Sequence, residues 1–107
     1  MDNIIGIGTD IVEIKRIKDI FSRNKTFESR VFSKTEINFC RNKSNKFSCY
    51  AKRFAAKEAF VKAIGTGMSG GLNFKEIYIK NNNKGEPSLK LSAKAGKKVK
   101  KLLKKKK

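Results

Sequence analysis

Two acidic residues occupy positions where a free carboxylate would be costly. Asp10 follows a segment of alternating glycine and isoleucine, and Glu58 lies in a stretch rich in Ala, Lys and Phe, four residues before Lys62. A carboxylate among small and apolar neighbours must be paired or hold a metal ion. Spacing alone favours a simpler interpretation, an i,i+4 pair between Glu58 and Lys62 worth roughly a few tenths of a kcal/mol. Similarly, an aspartate at the end of a strand often only caps the next turn.

The sequence contains no histidine, which narrows the chemistry available to it. The usual general base near neutral pH is therefore missing, and any catalysis must rely on carboxylates, lysines, a metal ion or bound water. The two cysteines, Cys40 and Cys49, have no histidine partners for a zinc site or a Cys–His catalytic pair. We predict that they are reduced thiols with an ordinary packing or surface role.

Length and charge indicate the broad class of protein. A chain of 107 residues fits one small domain, and oligomerisation is a common way to extend so small a core. The net charge is +18, and the nine lysines of residues 94–107 carry half of it. The rest is still basic, which suits a polyanionic ligand or an acidic protein partner. The sequence has no apolar run that could span a bilayer and no signal-peptide pattern, so we predict a cytoplasmic protein without a membrane partner.

The first part of the chain is predicted to place Asp10 beside open space. Apolar alternation predicts a strand over Asn3–Ile14, in which glycines clear room next to this aspartate. A helix should follow, with its apolar side packed inward and a basic face formed by Lys15, Arg16 and Lys18. Without further information, the simplest interpretation of that face is an ordinary solvated surface.

The middle of the chain should hold the helix that carries Glu58. Residues 22–33 are predicted to be a connection, after which Ser33 caps a short helix in a Ser-x-x-Glu capping box. Residues 42–48 are polar and predicted to form a loop. The composition of Tyr50–Ile64 predicts a long helix, and the glycines of residues 65–71 should end it in a flexible loop.

The last part of the chain is predicted to be a hairpin and a helix. Glu76–Lys80 and Ser88–Leu91 are expected to be strands around a turn that contains Gly85. Ser92 is expected to cap a final helix, with Lys104–Lys107 frayed or disordered. These elements predict an α+β fold with a small, mainly antiparallel sheet packed with helices.

Two longer motifs resemble those of bacterial holo-acyl-carrier-protein synthases, of the 4′-phosphopantetheinyl transferase family. The first is Gly-Ile-Gly-Thr-Asp-Ile-Val-Glu-Ile at residues 6–14, with Arg16. The second is Arg-Phe-Ala-Ala-Lys-Glu-Ala-Phe-Val-Lys-Ala-Ile-Gly-Thr-Gly at residues 53–67. Residues 30–36 and 85–87 are also similar to family positions. Two such motifs in this order are highly specific, and the resemblance covers about residues 3–92.

The resemblance implies an activity and a cofactor. It implies transfer of the 4′-phosphopantetheine of coenzyme A to a serine of apo-acyl carrier protein, which gives holo-acyl carrier protein and 3′,5′-ADP for fatty acid biosynthesis. It implies that Asp10 and Glu58 hold Mg²⁺ with the pyrophosphate, and that Lys62 lies near the same phosphates. Two carboxylates, phosphate oxygens and waters are normal magnesium ligands. The serine proton could pass to a metal-bound water or to a carboxylate, and both remain open.

The resemblance also implies binding residues for the two substrates. Arg53 is expected at the 3′-phosphate or ribose of coenzyme A, Gly65 at a close backbone approach to the nucleotide, and Gly85 and Pro87 at the adenine edge. The acidic carrier protein is expected to dock on the basic face described above, with Arg16 as the matching arginine. The family forms homotrimers with active sites between subunits, so the same assembly is expected here.

The sequence departs from the family at its C-terminal end. Family members continue with a strand bearing a Ser-x-Ser-His-like motif, whereas residues 94–107 here are a lysine-rich helical or disordered tail after a transferase domain at 1–93. We therefore expect weaker coenzyme A affinity and lower stability than in full-length relatives. Two alternatives stay open: a relative that binds without turnover, and a basic nucleic-acid-binding protein, although no recognisable nucleic-acid motif supports the latter.

Overall fold

The computed structural model describes the backbone of residues 2–65 and 72–105, and the side chains within residues 11–65 and 72–104. The described part contains five α-helices, one 3-10 turn and one two-stranded antiparallel sheet, so the predicted α+β class is confirmed. The elements in chain order are α1 (Asp2–Arg23), α2 (Phe27–Val31), α3 (Lys34–Cys40), α4 (Lys46–Ile64), the 3-10 turn (Phe74–Glu76), β1 (Ile77–Asn81), β2 (Pro87–Leu91) and α5 (Ala93–Lys105).

The hairpin matches the prediction closely. Its strands β1 and β2 are antiparallel, with Ile77 opposite Leu91 and Asn81 opposite Pro87. The turn between them includes Gly85 at φ +82°, a left-handed backbone conformation that residues other than glycine rarely adopt. Helix α5 follows, and its start is capped as predicted, because the amide of Ala95 donates to the Ser92 hydroxyl at 3.1 Å.

Helix α4 joins two apolar clusters. The first cluster packs α1, α2 and α3 against the first half of α4, around the fully buried residues Ile17, Phe32 and Tyr50. The second packs the end of α4 against β1 and α5, around Ile77 and Ala95. These clusters fix the position of α4, the helix that carries the predicted site residues Arg53, Glu58 and Lys62.

The predicted strand over Asn3–Ile14 is wrong, because these residues form the first half of helix α1. A strand must find its hydrogen-bond partners on a neighbouring strand, and the described sheet consists only of β1 and β2. A helix satisfies its backbone groups internally. The predicted helical packing of Ile14, Ile17 and Phe21 into the core is confirmed.

Other boundaries also differ from the prediction. The segment 22–33 contains the short helix α2, and α4 begins at Lys46, inside the predicted loop 42–48. The predicted end of α4 is confirmed by Gly65, which caps it with φ +80°. The predicted flexible loop beyond Gly65 lies at residues 66–71, outside the described residues. Of the predicted frayed or disordered end at Lys104–Lys107, Lys104 and Lys105 belong to α5, and Lys106 and Lys107 lie outside the described residues.

The prediction of reduced cysteines is wrong in this structure. Cys40 at the end of α3 and Cys49 in the first half of α4 form a disulfide, with their Cα atoms 5.6 Å apart. The short connection between the two helices brings the residues together, which sequence spacing alone does not reveal.

Candidate functional site

Helix α4 and the β1–β2 hairpin enclose a cavity that holds three of the predicted coenzyme A-binding residues. This hairpin cavity has a volume of about 430 Å³, and Arg53, Gly85 and Pro87 all line it. Its wall also includes Lys52 and Asn81. Arg53 comes from the middle of α4, while the glycine and proline come from the hairpin turn, 32 or more residues away in sequence. The structure therefore brings these three residues to one place.

Arg53 is one of two cationic residues that line the hairpin cavity, and unlike the exposed Lys52 it is buried, with only 7% of it exposed. Its Nη2 donates to the Asn81 side-chain oxygen at 2.5 Å, and its Nη1 donates to the Cys49 carbonyl at 3.4 Å and lies 3.3 Å from the Cys49 sulfur. The guanidinium also lies 4.5 Å from the Phe39 ring centroid. These contacts orient the group, but all of them are with neutral partners.

The charge of Arg53 therefore lacks a balancing partner within the described part of the chain. Among the described side chains, no carboxylate lies within ion-pair distance of it, and its Nε is buried without a hydrogen-bond partner. Burial lowers the pKa of Arg53, partly opposed by the charge of Glu36. A buried cation is normally paired, so Arg53 is a candidate for contact with an anionic ligand.

A second cavity lies near the C-terminal end of α4 and holds the other predicted residues of that helix. Glu58, Lys62 and Gly65 line it together with Phe74, and its volume is about 700 Å³. Glu58 and Lys62 are one helical turn apart and face the same space, as their spacing predicts. We call this space the carboxylate cavity. It places an acidic and a basic side chain beside the cap of α4.

Glu58 has a partner that the sequence did not reveal. Arg16 of α1 donates to its Oε2 at 3.3 Å and pairs with Glu13 at 3.2 Å. The hydrogen bond from Arg16 to Glu58 is the largest contribution that raises the pKa of the arginine. The Arg16 and Glu58 side chains are 44% and 40% exposed, so the pair is weak and a stronger cation could replace it.

The two predicted metal ligands, Asp10 and Glu58, are carboxylates, the type of side chain that magnesium prefers. Glu58 offers hard carboxylate oxygens at an open cavity, and Asp10 lies on α1, six residues before the arginine that contacts Glu58. The side chain of Asp10 is outside those described. The described residues contain no group of three or more potential metal ligands. Magnesium usually binds one or two protein carboxylates and completes its shell with waters and substrate phosphates, so two carboxylates would suffice.

The predicted docking face remains at the surface of α1. Lys15, Arg16 and Lys18 are all exposed. Lys18 lies 5.7 Å from the Phe47 ring centroid, whereas Arg16 is engaged by Glu58 and Glu13. Arg16 therefore links the basic face to Glu58, which lines the carboxylate cavity. This places a surface suited to an acidic partner next to the cavity.

Sequence analysis missed two groups that shape the site. Asn81 belongs to a run of three asparagines, which indicates only a turn. Lys57 and Glu36 form a fully buried ion pair at 2.6 Å between α4 and α3. No local signal marks a pair separated by 21 residues, although a lysine in an otherwise apolar helix is a reason to look for a buried partner.

The fold and these cavities define a small α+β protein with a buried arginine in a cavity between a long helix and a hairpin, and a carboxylate on the same helix. Residues 6–106 match the 4′-phosphopantetheinyl transferase superfamily. The chain belongs to this superfamily.

Similar proteins include holo-[acyl-carrier-protein] synthases from several bacteria. The one from Pelagibacter ubique is 52% identical over 101 residues, which cover 94% of this chain and 78% of the relative. The one from Halothermothrix orenii is 45% identical over 93 residues, covering 86% and 74%.

Solved structures show the same fold. The Chronobacterium ammoniagenes ACPS–CoA complex has a TM-score of 0.70 and 28% identity, covering 83% of this chain and 72% of the other. The Plasmodium yoelii acyl carrier protein synthase with ADP bound has a TM-score of 0.66 and 34% identity, covering 83% and 69%. None of the described helices of our chain is long and apolar enough to cross a membrane.

Proposed function

We propose that this chain transfers the 4′-phosphopantetheine group of coenzyme A to a serine of apo-acyl carrier protein. The observation that carries the proposal is the buried Arg53, whose charge has no carboxylate partner among the described residues and which lines a cavity beside Gly85 and Pro87. A nucleotide phosphate would supply the missing anion. The relative from Chronobacterium ammoniagenes, with the same fold, binds CoA.

The hairpin cavity would hold the nucleotide end of coenzyme A. Arg53 would bind its 3′-phosphate or ribose region, and Gly85 and Pro87 would contact the adenine edge. Gly65 permits a close backbone approach to the nucleotide at the end of α4, because glycine has no Cβ. Lys62 would present its ammonium to the pyrophosphate as a point charge. The long helix would then span the substrate from nucleotide to reacting phosphorus.

In the reaction, the serine oxygen of the carrier protein forms a bond to the phosphorus that bears the pantetheine arm. The bond from that phosphorus to the bridging oxygen breaks, and 3′,5′-ADP leaves with the electron pair. Asp10 and Glu58 would hold Mg²⁺, which when bound neutralises charge on the pyrophosphate and the leaving group. The serine proton passes to bound water or to a carboxylate. Lys62 stabilises negative charge on the departing phosphate.

The carrier protein would dock on the exposed basic face of α1. Lys15 and Lys18 would attract its acidic surface, and Arg16 would contact it beside the carboxylate cavity. We also propose that residues 1–93 form the transferase domain, that the protein acts in the cytoplasm, and that it assembles as a homotrimer. A core divided into two clusters within 107 residues is consistent with such assembly.

Mass spectrometry of apo-acyl carrier protein incubated with coenzyme A and Mg²⁺ tests this function. The expected result is a mass gain of one phosphopantetheine arm, lost with Asp10→Ala and with Glu58→Ala. Asp19→Ala is the matched control, because Asp19 is an exposed aspartate on the same helix as Asp10. An unmodified carrier protein with the wild-type enzyme, or full activity in both site variants, would contradict the proposal.

A further inference from the structure

One amide side chain connects the two walls of the hairpin cavity. Asn81 is the last residue of β1, and its oxygen accepts from Arg53 Nη2 at 2.5 Å. Its nitrogen donates to the Gly85 carbonyl at 2.9 Å. The same side chain therefore contacts the buried cation of α4 and the glycine of the hairpin turn, two residues before Pro87.

The backbone around Asn81 is itself held in place. Asn81 pairs with Pro87 across the sheet. Two residues earlier on the same strand, the amide of Ile79 donates to the buried Glu36 carboxylate at 3.0 Å. Asn81 thus extends from a strand that is anchored to the buried network of α3 and α4, which suits it to hold another side chain at a defined position.

The turn has several hydrogen bonds besides the one from the Asn81 side chain. The backbone of Asn82 donates to the Glu86 carbonyl at 2.9 Å, and Gly85 donates back to the Asn82 carbonyl at 2.9 Å. The Asn82 side-chain oxygen accepts from the amides of Lys84 and Glu86, each at 2.9 Å. Asn82 and the backbone therefore give the turn its internal hydrogen bonds, and the Asn81 amide adds the link between the turn and Arg53.

We infer that Asn81 is a positioning residue for phosphate recognition, and this inference rests on the proposed function. Its oxygen orients the Arg53 guanidinium while its nitrogen holds the Gly85 turn, so that the cation and the turn face the same ligand. A neutral amide is the suitable group here. A carboxylate at this position would form an ion pair with Arg53 and cancel the charge that a phosphate needs.

The test compares Asn81→Asp and Asn81→Ala with Asn83→Asp, a control that adds the same charge to an exposed residue of the same turn. NMR titrations measure the affinity of each protein for 3′,5′-ADP and for adenosine. The ratio of these affinities measures phosphate recognition. We expect Asn81→Asp to lower the ratio about tenfold or more, the equivalent of one charge-assisted contact. Asn81→Ala should lower it less, and Asn83→Asp should leave it unchanged within about twofold.

A second readout separates positioning from general destabilisation. In the transfer assay, Asn81→Asp should raise KM for coenzyme A more than it lowers kcat, because it weakens binding away from the reacting phosphorus. An unchanged affinity ratio in Asn81→Asp, or equal losses for 3′,5′-ADP and adenosine, would overturn the inference while leaving the proposed function intact. A wild-type protein that binds adenosine and 3′,5′-ADP equally would overturn both.

Discussion

Two buried cations lie one turn apart on α4 and have opposite surroundings. Lys57 is fully buried, and its ammonium donates to Glu36 at 2.6 Å and to the carbonyls of Val31 and Phe74 at 2.8 Å each. Arg53 is 7% exposed, yet its described partners are neutral and its Nε has none. The lysine has all its hydrogen-bonding capacity used within the protein, and the arginine does not.

This difference separates a structural charge, Lys57, from the proposed binding charge, Arg53. The Lys57 network ties α4 to α2, α3 and the 3-10 turn, and the Glu36 carboxylate extends it to β1 through Ile79. Burial is the largest influence on the pKa of Lys57 and lowers it, while the hydrogen bond from the ammonium to Glu36 opposes the change. Such a network positions helices but has no capacity for a ligand. The arginine next to it has no carboxylate partner among the described residues, and our proposed function assigns the ligand to it.

The largest expected effect distinguishes these two cations by stability. Lys57→Met should lower the free energy of unfolding by about 3–5 kcal/mol, because it leaves the Glu36 carboxylate buried and unpaired. Arg53→Met should cost less, about 1–2 kcal/mol, since it removes a buried cation for which the described side chains offer no carboxylate partner. Urea denaturation measures both. In titrations with 3′,5′-ADP and adenosine the order of the two effects should reverse. Arg53→Met should lose the preference for 3′,5′-ADP to a greater extent than Lys57→Met.

A double variant controls for the lysine result. Replacing both partners, in Lys57→Met with Glu36→Leu, should recover part of the lost stability, because no buried charge is then left unpaired. If Arg53→Met proved as destabilising as Lys57→Met, the distinction between the two cations would be wrong.

The second effect concerns the disulfide between Cys40 and Cys49. Of the two buried cations, Arg53 is the one with hydrogen bonds to Cys49. Replacing Cys40 and Cys49 by alanine should lower the free energy of unfolding by about 2.5 kcal/mol, the value expected for a loop of this length. It should also weaken phosphate binding, since Arg53 contacts both the carbonyl and the sulfur of Cys49. Denaturation with and without a dithiol reductant checks the stability. An oxidised wild type no more stable than the reduced one would contradict this prediction.

Sequence reasoning predicted the parts of this arrangement that depend on local chemistry. The Ser33 capping box is confirmed: the Ser33 amide donates to Glu36 at 3.0 Å, and the Glu36 amide donates back to the serine hydroxyl at 3.2 Å. The second role of Glu36, as the partner of Lys57, depends on how α3 packs against α4 and has no local pattern. The hairpin and the end of α4 were likewise predictable, because glycine and strand patterns act over a few residues.

Other features depend on tertiary contacts and could not be predicted in this way. Alternating apolar residues over 3–14 suggested a strand, but the described sheet contains no strand to pair with it, and the segment is helical. Arg16 was predicted as a docking residue from its place in a motif. Its contact with Glu58 spans 42 residues, and only the packing of α1 on α4 reveals it.

A smaller effect, which depends on pH, is expected from the ion pair of Glu28 and Arg41. This pair is more exposed than the pair of Lys57 and Glu36. Burial raises the pKa of Glu28, but hydrogen bonds from Arg41 and Tyr50 outweigh it, so the pKa is lowered overall. This carboxylate therefore contributes stability above its unfolded pKa of about 4.3, and the contribution is lost as the pH falls through the folded value. Glu28→Gln should be less stable than wild type at neutral pH, and the difference should shrink as the pH falls below about 4.

Tyr50→Phe is the matched control, because it removes one donor and leaves the carboxylate in place. It should raise the Glu28 pKa toward its ordinary range in an NMR titration, since one of the two hydrogen bonds that lower it is gone. A difference between wild type and Glu28→Gln that stays constant from pH 7 to about pH 2 would refute this account.

The smallest effect should come from the exposed pair between α1 and α4. Arg16→Ala breaks contacts to Glu58 and Glu13 in which the side chains are 27–44% exposed, so the free energy of unfolding should change by less than about 1 kcal/mol. Raising the salt concentration to about 1 M should remove most of this difference, because screening acts on exposed charges far more than on buried ones. The same salt should leave the cost of Lys57→Met nearly unchanged. If salt reduced both costs equally, the Lys57 pair would not be shielded from solvent in solution. The contrast between structural and binding charges on α4 would then lose its physical basis.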